Sequence, residues 1–102
     1  DVLFTISGLT AAGVIRFCQK KNIRIPQDIA IVGFSNWQLS SLTTPTISTI
    51  DQSGQLIGEE VMRLFLKEIK QHQNNEKIIF HTSIIPSKLI VRESSSRKRF
   101  IK

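Results

Sequence analysis

Residues Ile29–Phe34, read Ile-Ala-Ile-Val-Gly-Phe, are apolar at every position. A β-strand points successive side chains to opposite faces, so a run without polar alternation calls for cover on both sides. Strands of that kind occur in parallel sheets flanked by helices. This one run therefore favours an α/β architecture over an all-β or all-helical one.

The preceding sequence supplies the rest of a βαβ unit. Val2–Ile6 is a short β-prone run, and Ser7 is a candidate helix N-cap. Residues 9–21 favour a helix that Asn22 can end, and Ile25-Pro26 forces an extended connection into the apolar strand. Downstream, one helical turn is expected near Leu39–Leu42, and strands at Ile47–Ile50, Lys77–His81 and Lys88–Arg92. The strongest helix signal is Ser53–Gln71. Ile57, Val61, Leu64, Phe65 and Ile69 line one face of it, and Glu59 and Arg63 lie one turn apart on the other.

A chain of 102 residues with 40% hydrophobic residues can bury one modest core. It has no apolar run long enough to span a membrane. The net charge of +6 is uneven: Arg97, Lys98, Arg99 and Lys102 carry four charges, leaving a mildly basic body. Such a tail gives at most weak, salt-sensitive attraction to phosphate. Cys18, the single cysteine, lies in an apolar helix beside no basic activator and reads as a small buried residue.

Catalytic chemistry finds little support. His72 and His81 lack metal-ligand spacing, and no glycine-rich phosphate loop is present. Asp28 and Asp51 stand alone in sequence, and neither a metal nor a cofactor is implied. The more telling pattern is that both early strands end in small polar residues, Ser7-Gly8 and Ser35-Asn36. Parallel strands end on one side of a sheet, where open α/β folds bind ligands. These residues either offer hydroxyl and amide groups to a polar small molecule or serve locally as a helix cap and a turn.

Four blocks together resemble the lactose-repressor/galactose-repressor family of transcriptional regulators. Residues 1–13, DVLFTISGLTAAG, are similar to the family pattern D-x-φ-φ-A-x-N-D-x-x-A-x-G. Residues 25–34, IPQDIAIVGF, resemble V-P-x-D-φ-x-φ-φ-G-F-D. Residues 45–52, PTISTIDQ, resemble P-x-L-T-T-V-x-Q, with Gly58 at the helix glycine, and residues 89–94, LIVRES, resemble the closing L-φ-x-R-x-S.

The resemblance implies the C-terminal part of a two-lobed, periplasmic-binding-protein-like (type I) effector-binding core. It implies that Ser7, Gly8, Ser35 and Asn36 face a sugar-like effector. It also implies that Ala12, Ile15 and Arg16 meet a second subunit in a cytoplasmic homodimer, and that DNA is contacted only through a separate helix-turn-helix head. Residues 1–45 and 74–102 are then expected in the C-terminal lobe, and the strand and helix of 46–73 in the N-terminal lobe. The Ser53–Gln71 helix is then expected to project from residues 1–45 and to be covered chiefly by a partner chain, as in domain swapping. The alternative carried by the same fold is a periplasmic sugar-binding protein of a transport system. The chain departs from the pattern at Ser7-Gly8, where the family has Asn-Asp, and at Ser35, where it has Asp. Without those two carboxylates an anionic ligand becomes more acceptable.

Overall fold

Ser7 begins the first helix in the way its sequence position suggests. Its backbone is extended (φ −150°, ψ 161°), and its hydroxyl accepts a hydrogen bond from the Thr10 N–H at 3.2 Å. Helix α1 (Gly8–Lys20) follows. It ends where Asn22 adopts a left-handed conformation (φ 59°), with the Ile23 N–H bonded to Cys18 O at 2.9 Å and the Asn22 N–H to Gln19 O at 3.4 Å. This is a Schellman closure, with Asn in the role more often taken by glycine. These features come from a computed structural model that describes residues 1–97. The basic tail beyond Arg97 lies outside the described residues.

The chain divides into two units, Asp1–Asp51 with Lys88–Lys102, and Gln52–Ser87. The first holds a four-stranded sheet in the order β1 (Val2–Phe4), β2 (Ala30–Phe34), β3 (Ser48–Asp51), β4 (Lys88–Ile90). The pairs β1–β2 and β2–β3 are parallel and β3–β4 is antiparallel. A 3-10 turn spans Gln38–Ser41. The mainly parallel sheet bears out the α/β expectation.

Helix α1 buries Ala11, Ile15 and Cys18, a spacing of four and three that marks one helical face. Ala11 and Ile15 join Ile31 and Ile47 in the core, with Ala12, Val14, Ile25 and Ile29 packed around them. Within β2 burial alternates. Ile31 and Gly33 are covered, while Ala30, Val32 and Phe34 are half-buried. Among the described residues of this unit the expected cover on both faces is found on one only, because α1 is their single α-helix. On the other face Phe4 meets Phe34 edge-to-face at 6.0 Å.

The segment after β4 locks the amino edge of the sheet. Ser94 is fully buried. Its hydroxyl donates to Ile31 O at 2.6 Å and accepts from the Ser48 N–H at 2.8 Å. Its backbone accepts from Ile31 N–H and donates to Thr46 O, both at 2.9 Å. The Glu93 carboxylate accepts from the Thr46 N–H and hydroxyl at 3.2 and 3.0 Å.

The second unit contains α2 (Gly54–Gln73) and the return segment. None of the residues of α2 is buried. Ile57, Val61 and Leu64 line an open apolar groove with Ile84 and Ile85 of the return. Arg63 pairs with Glu60 at 2.5 Å rather than with Glu59, which accepts instead from Gln55 at 3.1 Å. Glu60 also accepts from Ser83 at 3.0 Å, so it is the better-held carboxylate of the two. That pairing keeps the Glu60 carboxyl well below the ordinary range, at about 2, through the Arg63 bond first and the Ser83 bond second.

One expectation changes. The strand expected at Lys77–His81 does not form: residues 77–81 carry no regular structure. A β-prone run needs a neighbouring strand to pair with, and this unit offers none. The strand near Ile47–Ile50 does form, as β3, and is hydrogen-bonded between β2 and β4.

Candidate functional site

Because β1, β2 and β3 are parallel, their carboxyl ends share one edge of the sheet. Ser7 and Gly8 follow β1, Ser35 and Asn36 follow β2, and Asp51 closes β3. The sheet ladder extends into these turns, with the Thr5 N–H bonded to Val32 O at 2.8 Å and the Ser35 N–H to Ile50 O at 2.9 Å. The four residues singled out from sequence therefore lie at the same edge.

Their side chains are placed differently. The Ser7 hydroxyl caps α1 and lies 3.0 Å from the Thr10 hydroxyl, so the local role expected of it as a cap is filled. Thr5, buried beneath, donates to Ser7 O at 3.0 Å and fixes the turn. Ser35 and Asn36 both take positive φ, 77° and 38°. Two successive non-glycine residues in this region cost energy, and such strain persists only where surrounding bonds over-determine it.

Those bonds are present around Asn36. Its N–H donates to the hydroxyl of the buried Thr49 at 2.9 Å. Its side-chain oxygen accepts from Arg92 Nη2 at 3.3 Å, and Arg92 Nη1 donates to Ile47 O at 2.9 Å.

Gly8 is buried, and its surroundings explain the absence of a side chain. A Cβ there would lie 2.3 Å from Trp37 Cβ and 3.0 Å from Trp37 Cγ. Trp37, from the turn after β2, therefore sits directly on the turn after β1.

Sequence reasoning missed Asp51, Arg92 and Trp37. Asp51 reads as an isolated carboxylate until the register of β3 brings it to this edge. Asp28 lies at the opposite end of the sheet, ahead of β2, where Arg24 binds it with its N–H and Nη2 at 2.8 Å each. The two carboxylates cannot form a catalytic pair. Among the described residues no three His, Cys, Asp or Glu side chains are grouped to hold a metal. No helix among them is long and apolar enough to cross a membrane.

Of the residues expected at a second subunit, Arg16 is exposed and Ala12 half-buried. Both line a shallow groove with Gln19, Thr43 and Thr44. Ile15 lines the same groove, and at 4% exposure it also packs into the core, sharing the inward face with Ala11 and Cys18.

A family model described as a periplasmic binding protein-like domain matches residues 2–95. The NTD biosynthesis operon regulator NtdR of Bacillus subtilis is 34% identical over 95 residues, covering 93% of this chain and 28% of the regulator. The chain thus spans little more than a quarter of the length of such curated relatives. Among solved structures, a periplasmic binding ribose operon repressor protein from Lactobacillus acidophilus superposes with a TM-score of 0.80 at 34% identity, covering 94% of this chain and 34% of that one. A periplasmic binding protein/LacI transcriptional regulator from Alkaliphilus metalliredigens, complexed with D-xylulofuranose, gives a TM-score of 0.77 at 32% identity, covering 92% and 34%.

Proposed function

Since this chain belongs to the periplasmic binding protein-like family, among the effector domains of LacI-type repressors, we propose that it is the effector-sensing part of a DNA-binding transcriptional regulator. The effector is a small polar molecule, a sugar or sugar derivative. It binds at the carboxyl edge of the sheet and controls operator binding by a helix-turn-helix head. The observation that carries this reading is the strained Ser35–Asn36 turn at that edge, with Asn36 held in place by Thr49 and Arg92. A neighbour of the same fold at 32% identity is complexed with a sugar, which supports the ligand class.

In this reading Ser35 and Asn36 contact the effector, while Ser7 and Gly8 shape the wall after β1. The first unit forms the sheet of the C-terminal lobe, and α2 belongs to the other lobe. Ala12 and Arg16 face the second subunit of a cytoplasmic homodimer. Sensing requires only that the effector prefer one lobe arrangement over another. The alternative, a sugar-binding component of a transport system, has less support, since the curated relatives are operon regulators and repressors. Isothermal titration with a panel of pentoses, hexoses and disaccharides tests the reading. Binding of at least one, weakened by Asn36→Ala and unaccompanied by turnover, is the expected result. A chain that binds none of the panel, or that chemically converts the one it binds, would refute it.

A further inference from the structure

Trp37 combines three properties. It lies two residues past Ser35, at the carboxyl edge of β2. Its Cβ, Cγ and Cε3 crowd the space over Gly8, to within 2.3, 3.0 and 3.3 Å of where a Cβ would stand, so one part of the side chain is seated on the β1 turn. The residue as a whole is only half-buried, so a portion of its surface stays open. The strained Ser35–Asn36 turn is what directs the chain back toward Gly8. With ordinary extended geometry after β2, residue 37 would continue away from the sheet.

We propose that Trp37 is the specificity-determining residue of this edge, an aromatic platform that selects ligands with a flat C–H face, such as a pyranose ring. The inference rests on the reading of this edge as an effector cleft and names what that cleft prefers. Binding sites for small molecules combine apolar, often aromatic walls with a few placed polar groups. Here the indole supplies the wall, and Ser35 and Asn36, which precede it directly in the chain, supply the polar groups. A ring whose axial hydrogens lie on one face packs that face on the indole and turns its hydroxyls toward the polar groups. An open-chain polyol with the same hydroxyls has no such face. Gly8 is part of the device, because any side chain there would displace the indole.

Trp37 is the only tryptophan of the chain, so it reports on itself. The experiment titrates the 102-residue chain with D-glucose, cellobiose and lactose, and with sorbitol as the open-chain control. Intrinsic fluorescence, acrylamide quenching and calorimetry are followed. The expected result is binding of at least one pyranose sugar in preference to sorbitol, with the bound sugar shielding Trp37 from acrylamide. Trp37→Phe should keep most of the affinity and Trp37→Ala should lose about tenfold or more. A bound sugar that leaves the quenching of Trp37 unchanged overturns the inference while sparing the effector reading, as does a folded Trp37→Ala chain that binds as tightly as the parent. If Trp37→Ala does not fold, Trp37→Phe and the quenching of the parent decide. A parent that binds sorbitol as well as the ring sugars also overturns it. A parent that binds nothing in this panel but does bind D-xylulose, whose ring closes only as a furanose, refutes pyranose selection alone. One that binds no sugar at all removes the effector reading and this inference together.

Discussion

Arg92 Nη2 donates to Asn36 Oδ1 at 3.3 Å, joining a residue two positions past β4 to one two positions past β2. The same guanidinium holds Ile47 O at 2.9 Å, so its position is set from the far side of the sheet. The carboxamide of Asn36 is thereby oriented by a residue distant in sequence. Asn36→Asp keeps an acceptor for Arg92 and strengthens that bond by making it charge-assisted, but removes the NH2. The variant should melt no lower than the parent and should bind sugar about tenfold more weakly, in line with the cost of losing one ligand hydrogen bond. Thermal melts and calorimetry on the same samples check both halves.

Ser94 is fully buried in the closing segment, and both of its hydroxyl bonds are buried. Ser94→Ala leaves the Ser48 N–H without its partner. The expected loss is about 1–3 kcal/mol of stability, read from urea unfolding, with β2 and β3 losing amide-exchange protection first.

The contrast between Ile15 and Ala12 separates folding from association. Ile15→Ala opens a cavity against Ile31 and Ile47 and should cost about 2–5 kcal/mol. Ala12→Glu lies on the half-exposed side and should leave the fold intact while weakening self-association. Light scattering on folded Ala12→Glu that shows the same mass as a dimeric parent would count against the proposed interface.

Acid should loosen the second unit by a defined route. The folded-state pKa of Glu60 lies at about 2, below its ordinary value of 4.5, so its contribution is complete above about pH 4.5 and is lost as pH falls through about 2. A carbon-detected NMR titration should find Glu60 still ionised at pH 3.5, and Glu60→Gln should abolish any change in Ser83 over that range. A Glu60 titration midpoint at the ordinary carboxylate value would contradict the Arg63 and Ser83 bonds.

The parts legible in the sequence were those set by local chemistry. Ser7 as a cap, Asn22 as a helix end and the apolar run of β2 each act within a few residues of themselves. The inward face of α1 was legible too. Ala11 falls between Ile15 and Cys18 on a helical projection, so the three form one narrow stripe. What stayed hidden depends on partners far along the chain. The runs at Ile47–Ile50 and Lys77–His81 look alike as strings, yet the first has β2 and β4 beside it and the second has no strand to pair with. The seat of Trp37 on Gly8 and the reach of Arg92 to Asn36 join positions 29 and 56 residues apart, and no periodicity encodes such meetings.

The register of the antiparallel pair has a further consequence. Asp51 lies opposite Lys88, and between them the chain travels through the whole of Gln52–Ser87 before resuming the sheet. Topologically β3 and β4 are a hairpin whose turn has been replaced by a guest segment. The sheet imposes on that guest only that its two ends meet, and lengthening such a closure is inexpensive, about 0.6 kcal/mol for each doubling. The guest is thus exchangeable in principle: a tight two-residue turn spliced between Asp51 and Lys88 satisfies the same boundary condition. Sequence change inside 52–87 and sequence change in the sheet are, to that extent, free to proceed on separate clocks.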